Sequence, residues 1–312
     1  MREGILQSSS PFAKLMFSAF IVLASFFVTL IAGLFLAIPL FGMGFTELVE
    51  GLANLTRPDY AGLLKYFQVV QSIGLFVIPP FILGWFFAGN TTRYLKLDGK
   101  IGWRNLVMTS VIMLAAIPLI NLTAHLNAEM SLPDFMAPIE DWMRRTEESA
   151  ERLTETFLAA DNITGLMVNI FIIAIIPAIG EELLFRGVIQ RIFSEWTRNH
   201  HAGIWISAIL FSAMHLQFFG FLPRTLLGAL FGYMLVWSGK MWIPIVAHFV
   251  NNAVAVTVYY FIRQQRIGKD IETLGADSGD WIFVILSLGI FTVLMVIFYQ
   301  NQKRMRKGLT PP

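Results

Sequence analysis

The sequence predicts an all-α fold, a polytopic membrane helix bundle of about eight transmembrane helices with both termini in the cytoplasm. Composition is the first reason: 56% of the 312 residues are hydrophobic and only 14% are charged, against roughly 25% charged residues in a soluble domain. Spacing is the second, because eight uncharged runs approach or exceed the ~20 apolar residues that span a bilayer as a helix. These runs are 15–46, 66–92, 105–128, 162–180, 199–223, 225–239, 241–262 and 281–302.

Basic residues predict the orientation of the bundle. If the N-terminus is inside and the chain crosses eight times, 13 of the 23 Lys and Arg residues lie in cytoplasmic segments, including Arg2 and the cluster at 303–307. Nine lie in outer segments, and Arg186 falls within a span. Cytoplasmic loops of membrane proteins carry an excess of Lys and Arg, so this orientation is favoured. We expect a multi-pass protein of the cell (plasma) membrane.

Composition also excludes several kinds of chemistry. The chain has no cysteine, which excludes disulfide bonds, Cys-ligated zinc, iron–sulfur clusters and a thiol nucleophile. A net charge of +2 is too small to indicate a nucleic-acid partner. The first run contains Ile38-Pro39 near its end and is longer than the ~7–15-residue apolar core of a signal peptide, so we expect a retained helix. The expected partners are membrane lipid and a peptide or membrane-associated protein substrate.

We divide the chain into three parts. These are N-terminal membrane helices with an outer amphipathic segment (1–162), a helix core with the candidate site (163–262), and an outer loop, last transmembrane helix and basic tail (263–312). The outer segment at 129–161 holds nine acidic residues, while apolar residues recur at helical spacing, namely Ile139, Met143, Ala150, Leu153 and Phe157. This pattern predicts an amphipathic helix that lies on the outer membrane surface or caps the bundle. A solvated linker is the alternative.

Three charged residues lie inside an apolar helix that we predict from Ile163 to about Arg191. Glu181, Glu182 and Arg186 occur in the stretch IIPAIGEELLFRGVIQ, and a charge at a helix centre costs about 2.5 to 3.5 kcal/mol unless it is paired or hydrated. Glu182 and Arg186 are four residues apart and can pair on one face. Glu181 is turned by about 100°, so its partner must lie on another helix. It is roughly 27 Å from the outer end of the helix, towards the cytoplasmic half.

Two histidines are candidate partners for Glu181. His215 lies about 20 Å along a predicted helix that starts near residue 202, and His248 lies about 9 Å along one that starts near residue 242. Both are at intramembrane depth. Asn252 follows His248 by four residues and therefore shares its face. These side chains could also be hydrogen-bonded packing residues, but their spread over three helices favours a shared site.

These residue types can carry out hydrolysis of an acyl bond. Glu181 can act as general base towards a water that His215 orients while sharing the proton. His248 and Asn252 can donate N–H groups to the oxygen of a tetrahedral intermediate. Ser212 precedes His215 by three residues, but we do not expect a serine nucleophile. Zinc is the competing hypothesis, because the four site residues could ligate an ion that activates the same water, although the chain has no HExxH motif.

The same residues resemble the family of CPBP intramembrane proteases, which includes type II CAAX prenyl endopeptidases and bacteriocin-processing or self-immunity proteins. That family carries EExxxR, FxxxH and HxxxN on successive helices. The corresponding residues here are Glu181, Glu182 and Arg186; Phe211 and His215; and His248 and Asn252. The stretch LLGALFGYMLVWSGKMWIPIVAHFVNN also resembles the family's connecting segment. The resemblance covers roughly residues 163–256.

The resemblance implies an intramembrane endopeptidase that cleaves a peptide bond near the cytoplasmic side of the membrane. It implies that the first Glu and the first His prepare the water, and that the second His and the Asn form the oxyanion site. Glu182, Arg186 and Phe211 would support them. We favour a glutamate-type enzyme without a cofactor over a Zn²⁺ metalloprotease, because Arg186 can neutralise Glu182. A non-catalytic scaffold or self-immunity protein on the same fold, and a transporter, are the alternatives.

Overall fold

A computed structural model describes residues 3–55, 57–277 and 279–308. All regular elements among these residues are helical, so the predicted all-α class is confirmed. Arg2, which we assigned to the cytoplasmic side, lies outside the described residues. The helices used below are α1 (Pro11–Phe41), α2 (Phe45–Ala53), α3 (Pro58–Ala88), α4 (Thr91–Tyr94), α5 (Trp103–Ala115), α6 (Ile117–Ala128), α7 (Ala137–Leu158), α8 (Ile163–Thr197), α9 (His200–Ala213), α10 (Phe218–Ser238), α11 (Trp242–Arg263) and α12 (Trp281–Arg306).

Six helices in the described part of the chain are long and apolar enough to cross a membrane, namely α1, α3, α8, α10, α11 and α12. The pair α5 and α6 adds a seventh span if its bend of 41° belongs to one crossing. The structure does not confirm the count of eight, because the helix within the uncharged run 199–223 ends at Ala213. Helix α9 has 14 residues, about 21 Å of helix, which is shorter than a ~30 Å hydrocarbon core.

Helix α8 is continuous, as predicted for the helix that carries the acidic pair. Asn162 caps its N-terminus by accepting a hydrogen bond from the Gly165 amide at 2.8 Å, a common way to satisfy a free amide at a helix start. The helix is π-helical at Ile170–Ile175 and at Leu183–Ile189. Such widened turns are frequent at functional sites, and the second one directly follows Glu182.

Helices α8 to α11 form the centre of the bundle. Helix α9 packs against α10 and the C-terminal part of α8, while α11 packs against α5, α8 and α10. Helices α1 and α3 cover one side of this centre, and α5, α6 and α12 cover the other. Gly228 permits the close approach of α9 and α10, because a Cβ there would lie 3.1 Å from the Ala208 Cβ. The central helices are the ones that carry the three motifs.

The start of α1 and the end of α12 lie at the same end of the bundle, which we call the basic end. Lys14 of α1 pairs with Glu195 of α8 at 2.8 Å. Arg306 of α12 donates a hydrogen bond to the backbone oxygen of Val236 in α10, and the start of α9 packs next to both positions. The described ends of the chain therefore share one side, as the orientation requires. The assignment of that side to the cytoplasm stays a prediction.

Helix α7 covers the opposite end of the bundle, which we call the capped end. The acidic outer segment is thus a helix packed on the bundle rather than a solvated linker. Phe157 is buried against Leu64 of α3 and Ile172 of α8. Arg144 lies 4.8 Å from the centre of the Phe219 ring at the start of α10, a cation–π distance. The amphipathic pattern therefore corresponds to the cap that was one of its two predicted placements.

Candidate active site

The Glu182 carboxylate contacts both Arg186 and His248 at the candidate site. Arg186 Nη1 lies 2.8 Å from its Oε1, the pair that the four-residue spacing predicts. The same oxygen accepts a hydrogen bond from His248 Nδ1 at 2.9 Å. The side chains of Glu182 and Arg186 are 0% and 1% exposed, and charges buried this completely need such partners. A carboxylate only accepts hydrogen bonds, so Nδ1 of His248 carries a proton.

The Arg186 guanidinium is enclosed by α9 and α10. Its Nη2 donates to the backbone oxygen of Gly228 at 3.1 Å. Its Cζ lies 4.6 Å from the centre of the Phe211 ring and 5.5 Å from that of Phe231, within the range of cation–π contacts. Phe231 also stacks on the His248 imidazole, with ring centres 5.4 Å apart. Phe211, the supporting residue of the FxxxH motif, therefore contacts the cation that neutralises the buried carboxylate.

Glu181, which is turned by about 100° from Glu182 around α8, faces the other ring nitrogen of the same His248. Its Oε2 lies 3.9 Å from His248 Nε2, which is too long for a direct hydrogen bond and leaves room for one bridging water. The Glu181 side chain is 12% exposed and lines a cavity. His248 thus stands between the two carboxylates, with Nδ1 on Glu182 and Nε2 towards Glu181.

His215 lies two residues beyond the end of α9 and not within a helix, so the predicted helical position is wrong. Helix α9 ends at Ala213, and Leu216 takes a left-handed conformation with φ 52°, a strained state that clusters at functional sites. The His215 Nδ1 lies 2.8 Å from the Phe211 backbone oxygen. Because a carbonyl only accepts, Nδ1 donates and Nε2 offers a lone pair. His215 lines the same cavity as Glu181.

Asn252 has its carboxamide fixed from both sides. Nδ2 donates to the backbone oxygen of Ile173 in α8 at 3.1 Å, and Oδ1 accepts from Asn251 Nδ2 at 3.1 Å. The second N–H of the Asn252 amide is left for another acceptor. Asn252 and His248 both line the cavity, one helical turn apart on α11.

The four predicted site residues line one cavity of about 740 Å³, within the usual size range of ligand pockets. Its walls come from α3, from the six helices α6 to α11 and from the connection between α9 and α10. Thr154 of α7 and Glu272 of the loop after α11 are exposed and also line it. The cavity therefore opens towards the capped end and extends down to Glu181.

Two alternatives to the glutamate mechanism involve Ser212 and a zinc ion. The Ser212 hydroxyl donates to the Phe221 backbone oxygen at 2.8 Å, so it is engaged with the main chain instead of a histidine. Zinc would need its ligands at about 2.0 to 2.2 Å from one point. Among the described residues, no group of three or more His, Cys, Asp or Glu side chains is gathered to hold a metal ion. The choice between zinc and a mechanism without a metal therefore stays a prediction.

Three residues around the site were missed in the sequence. Phe231 stacks on His248, Asn251 orients the neighbouring carboxamide, and Arg224 lines the cavity. Arg224, Gly228 and Phe231 follow one another at spacings of four and three on α10, so they share one face. This periodicity is visible in the sequence, but a phenylalanine on an apolar helix gives no chemical signal. In the sequence, Arg224 is one of the nine basic residues assigned to outer segments, so it gives no signal of a site.

Comparison with known proteins supports the family resemblance drawn from the three motifs. Residues 163–254 match the profile of the family described as type II CAAX prenyl endopeptidase Rce1-like. The chain is similar to "Uncharacterized protein YpbD" of Bacillus subtilis (strain 168), with 29% identity over 111 residues, which are 34% of this chain and 54% of that protein. It is also similar to "Putative membrane peptidase YdiL" of the same organism, with 30% identity over 96 residues, 31% of this chain and 39% of that protein. No solved structure matches.

The fold and the comparisons define a multi-pass integral membrane protein. The match at 163–254 contains all three motifs and spans the four central helices up to the middle of α11, so it confirms the resemblance drawn from those motifs. Over this segment the chain is similar to the family described as type II CAAX prenyl endopeptidase Rce1-like. The matched segment spans about half, or less, of the length of the two curated relatives.

Proposed function

We propose that the chain is a glutamate-type intramembrane endopeptidase. One observation carries this proposal: Glu182 fixes His248 through Nδ1 at 2.9 Å, while Nε2 of the same ring faces Glu181 at 3.9 Å. When His248 is protonated, the two carboxylates are balanced by the imidazolium and by the Arg186 guanidinium. The charges of these four side chains then cancel, and paired buried charges cost less than unpaired ones.

Hydrolysis begins with a water that the Glu181 carboxylate and the Nε2 lone pair of His215 orient. Glu181 takes one proton as the water oxygen attacks the carbonyl carbon of the peptide. The electron pair of the C=O bond moves onto its oxygen, which becomes an oxyanion. Nε2–H of His248 and the free amide N–H of Asn252 donate to this oxygen, and one such donor is worth about 10²- to 10³-fold in rate.

Collapse of the tetrahedral intermediate breaks the C–N bond. The proton held by Glu181 passes to the leaving nitrogen, which departs as an amine. The second proton of the original water stays on the new carboxylic acid and is lost to solvent. Glu181 returns to its ionised state, and no covalent bond forms between the protein and the peptide.

The peptide enters the cavity from the capped end, where Thr154 and Glu272 are exposed along its wall. Glu181 lies roughly 27 Å along α8 from Ile163, so the bond is cut towards the basic end. The Lys and Arg distribution predicts that this end is cytoplasmic. The substrate is a peptide or a membrane-associated protein with an extended segment that reaches this depth.

Peptidase assays in proteoliposomes test the proposal. Wild type, Glu181→Gln and the control Arg263→Gln are compared on a panel of fluorogenic peptides, since Arg263 pairs with Asp161 at 3.5 Å near the capped end without lining the cavity. We expect cleavage by wild type and Arg263→Gln, and a loss of about 10²- to 10⁴-fold in Glu181→Gln. Undiminished cleavage by Glu181→Gln would exclude it as the base. A folded wild type that cleaves no peptide would favour a scaffold.

A further inference from the structure

Arg224 is a cation in the wall of the cavity, between the site residues and the capped end. It lies in the first turns of α10 and lines the same cavity as Glu181 and His215. Phe231, which stacks on His248, follows it by seven residues on the same helical face, about 10 Å along the helix. A bound peptide that reaches Glu181 from the capped end can therefore contact Arg224.

The Arg224 guanidinium is held by a neutral side chain. Nη2 donates to Gln217 Oε1 at 2.8 Å, and Nη1 donates to the Gln217 backbone oxygen at 3.4 Å. A guanidinium has five N–H donors in a planar fork, so donors remain once these two bonds are made. Gln217 fixes the position of the guanidinium without neutralising its charge.

No carboxylate of the described residues forms an ion pair with Arg224. Glu147 and Glu181 are near enough to interact with its charge. However, Glu147 accepts a hydrogen bond from the Phe219 amide at 3.4 Å, and Glu181 faces His248. A partly buried cation without a close counter-ion is costly. The cavity wall thus presents a positive charge that an anionic ligand would balance.

We propose that Arg224 binds a carboxylate of the peptide, an inference that rests on the proposed peptidase function. A guanidinium pairs with a carboxylate through two parallel N–H···O bonds, and a peptide offers this group at its C-terminus or on an Asp or Glu side chain. With the carboxylate on Arg224 and the scissile bond at Glu181, the distance between them sets how many residues separate the two. Arg224 is thereby a specificity-determining residue of the cavity.

Peptide binding to an inactive chain tests this inference without turnover. Full-length Glu181→Gln protein in nanodiscs is titrated with a fluorescein-labelled apolar hexapeptide in three forms: a free C-terminal acid, a C-terminal amide, and an amide with one internal Glu. Fluorescence anisotropy gives the Kd of each. We expect one of the carboxylate forms to bind at least about tenfold more tightly than the plain amide.

Adding Arg224→Gln should remove this preference, and Arg224→Lys should keep part of it because the charge remains but the fork is lost. The matched control Arg263→Gln should leave it unchanged, since Arg263 does not line the cavity. Preference for the free acid identifies the chain terminus as the ligand, and preference for the internal Glu identifies a side chain.

Equal or undetectable affinity for all three peptides overturns the inference, as does a preference that survives Arg224→Gln in a folded protein. The proposed function fails in a different way. If Glu181→Gln binds with an Arg224-dependent preference but wild type cleaves none of the three peptides or the fluorogenic panel, the carboxylate site stands and the peptidase does not.

Discussion

Glu182 and His248 are joined by a hydrogen bond of 2.9 Å between Oε1 and Nδ1, although 66 residues separate them in the sequence. The bond connects α8 to α11 and decides that Nε2 of His248 faces Glu181. Oε1 of Glu182 also lies 2.8 Å from Arg186 Nη1, so the same oxygen contacts both Arg186 and His248. The two adjacent acids therefore have different tasks, one structural and one chemical.

Removal of each acid should separate these tasks. Glu181→Ala should abolish peptidase activity and leave the melting temperature near that of wild type, because Glu181 lies 3.9 Å from His248 without a direct hydrogen bond and the Glu182–Arg186 pair stays intact. Glu182→Ala should abolish activity and also destabilise the protein by about 3 to 5 kcal/mol, because it leaves the Arg186 charge buried without its partner. Thermal unfolding in detergent, followed by Trp fluorescence, measures the difference.

A double variant provides the control for this interpretation. Glu182→Leu with Arg186→Met removes both charges and should recover most of the stability lost in Glu182→Ala, while activity stays absent because His248 loses its acceptor. Equal destabilisation in Glu181→Ala and Glu182→Ala would contradict the division of roles.

The Asn252 carboxamide should act on the oxyanion. Asn252→Ala should lower kcat by about 10²- to 10³-fold with little change in KM, because the donor contributes mainly in the transition state. Asn251→Ala is the matched comparison, since Asn251 lies next to Asn252 and donates to its Oδ1 at 3.1 Å. Its effect on kcat should be smaller. A larger loss in Asn251→Ala than in Asn252→Ala would reverse the assignment.

Metal dependence should be absent. Purified, active protein should contain far less than one zinc ion per chain by elemental mass spectrometry, and prolonged incubation with a strong chelator should leave activity intact. Stoichiometric zinc in active protein, with activity lost on its removal and restored on its return, would establish the zinc hypothesis in place of the glutamate mechanism.

The cavity should be reachable from the side of the membrane opposite the basic end. The chain contains no cysteine, so single cysteines can be introduced without a background. Thr154→Cys, at the exposed wall of the cavity, should react with a membrane-impermeant maleimide added to intact cells. Lys100→Cys, at the exposed basic end, should react only after lysis. The reverse pattern would invert the predicted orientation.

The fold class could be predicted from the sequence, as could the four residues that line one cavity, because each leaves a local signal. Charges inside an apolar run are conspicuous, and helical spacing places Glu182 with Arg186 and His248 with Asn252 on shared faces. The Glu182–Arg186 pair and the common cavity follow from those signals.

Other features depend on contacts between distant segments and could not be predicted. The end of α9 before His215 is such a case, because the run at 199–223 is uncharged throughout and nothing in its composition marks Leu216 as left-handed. The bond from His248 to Glu182 joins residues whose spacing carries no periodic signal. The opening of the cavity is set by how α7 packs, and an amphipathic pattern alone is consistent with more than one placement.

The most direct test of the central claim, direct attack by water that Glu181 activates, is a single turnover in water enriched in oxygen-18. Mass spectrometry then follows the label in the product and in the peptide that contains Glu181. If Glu181 is a general base, one labelled oxygen should enter the new product carboxylate and none should enter Glu181. Label in the Glu181 carboxylate after one turnover, with unlabelled product, would show that Glu181 attacks the peptide itself and would contradict the account.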